Sequence, residues 1–242
     1  LDDAFTAQKQ FSASAAHELR TPLAVMQTNL EVFARKKTPT IEEYQDIFGM
    51  IQNQTERLSH LSEVLLDMTG IQSVERSDSI SLAELTDEVC CDLASIADQK
   101  KVELIQEEGD CTVTGSYLLL YRAVYNLVEN AIKYNHSGGK VTVKISQTKA
   151  LPVAHSKPAD YALVEVTDTG IGISPEYQEK IFAPFFRVDK SRSRAMGGAG
   201  LGLALVAEIA RQHGGQVKVL ASSKKGSTIA LMLPINSPLI EI

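Results

Sequence analysis

Apolar residues recur at intervals of three and four from Phe11 through Ala15, Leu19, Leu23, Met26 and Leu30 to Phe33, the spacing of one helical face. The stretch from Asp3 to Lys37 holds one proline and no glycine, which predicts one long helix. Thr38-Pro39-Thr40 breaks the pattern. Thr40 with Glu43 three residues on makes a capping box. The helix it opens carries Ile41, Tyr44, Phe48, Ile51, Leu58, Leu61, Leu65 and Met68, and Gly70 is its expected stop. At 1.5 Å per residue each helix is roughly 45–50 Å long. Joined by a short turn, the two form an antiparallel hairpin that cannot cover its own apolar stripes. Pairing two hairpins into a four-helix bundle covers them and predicts a homodimer. Docking of the hairpin on the rest of its own chain is the alternative.

Past Gly70 the periodicity shortens and mixes. Ile71 to Ser79 reads as a polar linker. Strands are expected at 80–82, 102–105, 111–114, 141–146 and 162–167, the last running into Asp168. Helices are expected over 83–100, from a Ser116 cap to Tyr134, over 176–182 behind Pro175, and over 201–212 before Gly214-Gly215. Leu151 to Asp160, with two prolines, reads as a surface loop. A hairpin of 216–220 and 228–233 turns around Lys225-Gly226-Ser227. The pattern predicts one mixed sheet with helices on one face. The chain thus divides into a helical hairpin over 1–73 and an α/β domain over 74–242.

Composition narrows the function. The 242 residues are 44% hydrophobic, enough for packed cores. A net charge of −6 argues against a nucleic-acid surface. Cys90, Cys91 and Cys111 are odd in number and lack CxxC spacing, and so read as buried thiols of a reducing compartment. No apolar run approaches the roughly 18 residues of a membrane span. The chain begins at Leu1 without a signal-peptide pattern and reads as a soluble piece of something longer.

Four stretches carry chemistry. In Ala16-His17-Glu18-Leu19-Arg20-Thr21-Pro22-Leu23, a histidine is followed by a carboxylate, a hydroxyl and a helix-interior proline. Such a proline costs about 3 kcal/mol, while an imidazole beside a carboxylate can act as a nucleophile. His17 lies between Ala15 and Leu19, so it is expected to face solvent. In Asn126-Leu-Val-Glu-Asn130-Ala-Ile-Lys133-Tyr134, the asparagines are four apart on one helical face. An amide oxygen suits Mg²⁺, and Lys133 suits a phosphate. In Asp168-Thr-Gly170-Ile-Gly172, alternating glycines allow close backbone approach and the carboxylate can accept from an exocyclic amine. Gly197-Gly198-Ala199-Gly200-Leu201-Gly202 opens a helix, where backbone N–H groups attract anions. Ahead of it, Phe182-Ala-Pro184-Phe185-Phe186-Arg187 leads into a basic, serine-rich run with Lys190, Arg192 and Arg194, the composition of a lid over phosphates.

In this order the motifs resemble the H, N, G1, F and G2 boxes of the sensor histidine kinases of bacterial two-component systems, from the first helix to about Pro234. The resemblance implies an α+β architecture: a two-helix hairpin forming a dimeric four-helix bundle, then an α/β sandwich ATP-binding domain of the gyrase, Hsp90, histidine kinase and MutL type. It implies that His17 accepts the γ-phosphoryl group of ATP, that Glu18 manages its proton, and that Thr21 orients water when the same site dephosphorylates a partner. It implies Mg²⁺ on Asn130 with Asn126 beside it, phosphate on Lys133, and adenine near Tyr134 and Asp168. Gly170 and Gly172 would allow the base to approach. Gly198, Gly200, Leu201 and Gly202 would line the phosphates, and Arg187 would reach the transferring group. Where members often have Gly-Asp before the N-box helix, this chain has Gly115-Ser116, and serine caps as well.

The implied partners are a second copy and the receiver domain of a response regulator. A membrane would be met only through segments missing from this chain, which would be the cytoplasmic portion of a cell-membrane sensor. Two other classes stay open on the residues alone, a conformational clamp ATPase and a non-catalytic dimeric scaffold with a degenerate nucleotide site.

Overall fold

The computed structural model describes residues 2–71, 74–150, 159–188 and 200–235. The first helix, α1 (Asp2–Ala34), runs unbroken through Pro22. Pro22 is buried, so its ring is packed rather than solvated. Its missing N–H leaves the Glu18 carbonyl without the usual bond from four residues on. The second helix, α2 (Ile41–Gly70), starts at the expected capping box. The Thr40 N–H donates to Glu43 Oε2 (2.9 Å) and the Glu43 N–H to Thr40 Oγ1 (3.3 Å). Phe33 meets Tyr44 edge-on at 5.0 Å and fixes the register of the hairpin.

The remaining elements are β1 (Asp78–Ser81), α3 (Leu82–Lys100), β2 (Glu103–Gln106), β3 (Thr112–Gly115) and α4 (Tyr117–Lys133). They are followed by β4 (Lys140–Ala150), β5 (Ala159–Asp168), α5 (Gly202–Gln212), β6 (Gln216–Ser223) and β7 (Gly226–Pro234). Serine caps open both α3 and α4: Ser81 accepts from the Glu84 N–H and Ser116 from the Leu119 N–H. The main sheet has the order β2-β4-β5-β7-β6. Its β2–β4 pair is parallel and the others antiparallel. A separate ribbon pairs β1 with β3.

The sheet buries Val141, Val143, Ile145, Val164, Val166 and Leu231. Against them lie Leu85, Val89 and Leu93 of α3, Val124 and Val128 of α4, and Leu205 and Ile209 of α5, in one continuous core. Each helix contributes the inward stripe that its period predicts. The result is the expected two-layer α/β sandwich behind a helical hairpin.

Several expectations are revised. Of the three cysteines expected to be buried, Cys111 is buried, Cys90 half-buried and Cys91 exposed. The helix expected over 176–182 is instead two single 3₁₀ turns, Pro175–Tyr177 and Lys180–Phe182. Tyr177 packs against Phe186 (5.7 Å between rings), which folds this stretch back on itself instead of extending it. β5 already begins at Ala159, inside the loop expected over 151–160, because it pairs there with Ala150 of β4; residues 151–158 lie outside the described residues. The final hairpin turns earlier, at Lys224-Lys225, and Gly226 already begins β7 with φ of +130°.

The hairpin docks in part on the α/β domain of its own chain, the alternative to pairing alone. Leu61 and Val64 of α2 are buried in the same core as Leu201 and Leu205 of the α/β domain. The outer half is uncovered: Val32 is 58%, Ile41 79% and Phe48 66% exposed. Among the described residues, no helix is long and apolar enough to cross a membrane.

Candidate active site

The C-terminal end of α4, the start of α5 and the loop after β5 converge on a cleft of about 420 Å³. Asn126 and Asn130 line it from α4. Each donates its side-chain N–H back into its own helix, Asn126 to the Arg122 carbonyl and Asn130 to the Asn126 carbonyl, both at 2.8 Å. Those bonds fix the amides and leave the Oδ1 atoms for the cleft. A Cβ placed on Gly202 would lie 2.6 Å from Asn126 Oδ1, so glycine is required for the α5 N-terminus to come this close. A neutral hard oxygen on Asn130 fits Mg²⁺ that keeps most of its waters. Among the described residues, no group of three or more His, Cys, Asp or Glu side chains gathers to hold a metal.

Lys133, in the last turn of α4, lines the same cleft. Burial lowers its ammonium pKa; nearby Glu129 opposes that shift, and Arg187 adds to it. An amine held half-buried among cations gains most when an anion arrives. Its backbone carbonyl accepts from Lys100 Nζ, which caps the helix end. Tyr134 follows in the cleft wall, and its carbonyl accepts from the Ile171 N–H.

Asp168 closes the opposite end, at the last residue of β5. Burial raises its carboxyl pKa, while backbone N–H groups of Gly170 and Ser227 and the charge of His136 pull it back. The Gly170 N–H donates to Asp168 Oδ1 at 2.7 Å. With Val166, Ile173 and Ile229 beside it, the carboxylate sits in an apolar slot. A flat ring with an exocyclic amine matches that slot.

The glycines serve the loop first. Gly170 is buried beneath it, and a Cβ there would lie 2.4 Å from the Tyr134 carbonyl oxygen. Gly172 lines the cleft with φ of +71°, its Cβ position 1.7 Å from the Ser223 carbonyl oxygen. Gly200, Leu201 and Gly202 line the other wall. Leu201 is also 1% exposed and caps α5, so its side chain belongs to the core. Gly198 and the lid cations Lys190, Arg192 and Arg194 lie outside the described residues.

His17 is exposed on α1, as its spacing predicts. Thr21 Oγ1 donates back to the His17 carbonyl at 3.1 Å. Glu18 points elsewhere: its Oε2 accepts from Arg57 of α2 (3.2 Å) and from Arg187 (3.5 Å). Among the described residues no hydrogen bond joins Glu18 to His17, as expected for adjacent helical positions. Phe11 of α1 packs on Phe185 at 5.5 Å, next to that contact. Arg187 thus touches the hairpin while also lining the nucleotide-sized cleft.

Sequence reading missed Arg57 and Ser227. Arg57 had a signal: the antiparallel register that pairs Phe33 with Tyr44 brings Glu18 opposite Arg57. Ser227 had none, because its place beside Asp168 comes from the β5–β7 pairing.

Comparisons with known proteins agree with this geometry. Residues 7–73 match the His Kinase A (phospho-acceptor) domain. Residues 115–237 match the histidine kinase-, DNA gyrase B- and HSP90-like ATPase family. The sensor histidine kinase RppB of Synechocystis is 34% identical over 235 residues, covering 95% of this chain and 50% of RppB. The chain spans about half the length of the relatives it matches most strongly. The histidine kinase AdeS of Acinetobacter baumannii superposes with a TM-score of 0.68 at 23% identity, over 91% of this chain and 98% of AdeS. The histidine kinase ThkA, solved in complex with the response regulator protein TrrA, gives a TM-score of 0.71 at 21% identity, over 97% of this chain and 64% of that one. Those two share the fold. With both domain matches in the order that the motifs imply, the chain belongs to the sensor histidine kinases of bacterial two-component systems.

Proposed function

We propose that this chain is the ATP-dependent phosphotransfer unit of a two-component sensor, an ATP:protein-histidine phosphotransferase with His17 as acceptor. The division falls between residues 73 and 74, hairpin before and ATP-binding domain after. One observation carries the reading: a single cleft joins a half-buried carboxylate for a base, Asp168, to cations suited to phosphates, Lys133 and Arg187. The cation at its mouth reaches the residue next to an exposed histidine.

In the proposed reaction, neutral His17 attacks the γ-phosphorus of ATP in line. An N–P bond forms, the P–O bond to the β-phosphate breaks, and ADP leaves with the electron pair. Glu18, freed from its present partners, accepts the proton from the other ring nitrogen. Lys133 and Arg187 steady the negative charge of the transferring group. Asp168 holds adenine, with Tyr134, Gly170 and Gly172 shaping the base end. Gly198, Gly200, Leu201 and Gly202 present backbone to the phosphates. Asn130, with Asn126 beside it, would hold Mg²⁺, which when bound neutralises charge on the β- and γ-oxygens. The phosphoryl group then passes to an aspartate on a separate response regulator. In the reverse regime Thr21 turns from its helix carbonyl to orient a water for dephosphorylation of that regulator. The uncovered hairpin face supports a homodimer, and a membrane would be met only through segments outside this chain.

The test is incubation with Mg²⁺ and γ-labelled ATP. Acid-labile, base-stable label is expected on the unsubstituted chain and on neither His17→Gln nor Asn130→Ala. Label persisting on His17→Gln would assign a different acceptor. ATP hydrolysis without any label would favour a clamp ATPase.

A further inference from the structure

The Glu18 carboxylate is shared by two guanidinium groups that come from different parts of the chain. Arg57 belongs to the partner helix of the same hairpin, and Arg187 to the wall of the nucleotide cleft. All three side chains are largely buried: Arg187 is 6%, Arg57 13% and Glu18 15% exposed. Both arginines meet the same oxygen, Oε2. Neighbouring Lys133 feels the charge of Arg187. Lys133 and Arg187 thus bring two positive charges close together in the cleft wall.

That pair of cations attracts further negative charge. A terminal phosphate is the group that would bring it. Arg187 reaches Glu18 through Nη1 at 3.5 Å, and a phosphate in the cleft would compete with that carboxylate for the same guanidinium. Arg57 sets how tightly Glu18 keeps hold of Arg187. By sharing the carboxylate's charge, it weakens the Arg187 contact and makes release less costly.

We propose that Arg57 is a positioning residue of the phosphotransfer site: it holds Glu18 as a loosened resting seat for Arg187, which a nucleoside triphosphate, but not a diphosphate, draws away. This rests on the nucleotide reading above. It goes further in assigning a role to Arg57 and in making triphosphate preference depend on a contact within the hairpin. Departure of Arg187 also frees Oε2 of Glu18, so arrival of the γ-phosphate and release of the proton acceptor become one event.

The experiment measures affinities of the whole chain for a non-hydrolysable ATP analogue and for ADP, both with Mg²⁺, by calorimetry. Glu18→Gln empties the seat and should tighten the triphosphate by about three- to tenfold relative to ADP. Arg57→Gln should act in the opposite direction by a similar factor, because Glu18 then holds Arg187 alone. Arg57→Lys, which keeps the charge, should restore the original ratio. In an Arg187→Gln background both effects on the ratio should vanish, as a double-mutant cycle requires. Equal shifts for both nucleotides, or effects that persist without Arg187, would overturn the seat while leaving nucleotide binding intact. Failure of the unsubstituted chain to bind either nucleotide would overturn the nucleotide reading and the seat together.

Discussion

Burial raises the Asp168 carboxyl pKa, and its ionised form is held by backbone N–H groups rather than by a cation in direct contact. A carboxyl raised in the fold binds its proton more tightly there than in the unfolded chain. As pH rises through the unfolded and then the folded value, stability is therefore lost, and at neutral pH ionised Asp168 is a cost to the fold. The cost is tolerable if the carboxylate is needed to accept from an amine. Asp168→Asn should then leave the melting temperature at pH 7 unchanged or higher. The same substitution should weaken adenine nucleotide binding by about 10- to 100-fold, the value of a charge-assisted hydrogen bond. Thermal melts and nucleotide titrations of one preparation check both halves. The motif around Asp168 was legible because aspartate and alternating glycines are rare together after a strand. That Gly170 and Gly172 first serve the loop's own packing was not legible, since the Tyr134 and Ser223 carbonyls they approach belong to distant stretches.

At the scale of elements, α4 and α5 carry opposite walls of the cleft, and His213 ties them at the end away from it. His213 Nδ1 donates to the Ile209 carbonyl at 2.8 Å, and Nε2 accepts from the Ser116 N–H at 3.1 Å. That pairing needs the neutral ring. Burial lowers its pKa, as does the charge of Arg76, against the pull of the Ile209 carbonyl. The stabilisation is full above the unfolded value of about 6.5 and is lost as pH falls toward the lowered folded value. Acid unfolding followed between pH 7 and 5 should show this loss in the native chain and a flatter profile in His213→Gln. His213→Ala should cost about 2–3 kcal/mol, because the buried Ser116 N–H loses its acceptor. Gly115 leaves no room for a substitute, as a Cβ there would lie 2.6 Å from the ring. The helices and their caps were readable from period and from Ser81, Ser116 and Thr40. The clip was not, because histidine at a helix end looks like a surface residue until β3 is laid beside it. The 3₁₀ turns at 175–182 escaped for a related reason: a short apolar-polar stretch behind a proline fits a helix until Phe186 folds back on Tyr177.

At the scale of the whole molecule, docking on the α/β domain covers only the inner half of α2. Leu30 is 44% and Phe48 66% exposed, with Val32 and Ile41 nearby. Apolar stripes of this length do not stay in water on a monomer. Light scattering should give twice the chain mass, and Leu30→Glu with Phe48→Glu should halve it. Nucleotide binding should survive in that monomer, because the cleft draws its walls from a single chain. Hairpin and sandwich were both legible in the hydrophobic pattern. The contact of Arg187 with Glu18 was not, since no local pattern records where two separately folded units touch.

The strand order has a consequence for how the chain is made. In β2-β4-β5-β7-β6, the centre of the sheet needs β7, which follows every other strand in sequence. As the chain emerges from the ribosome, β5 therefore waits with an open edge while α5 and β6 are synthesised. The last core positions, Leu231 and Leu233, arrive with β7 itself. The α/β unit closes in a single late step, after every residue of the helical hairpin that precedes it in sequence has been made.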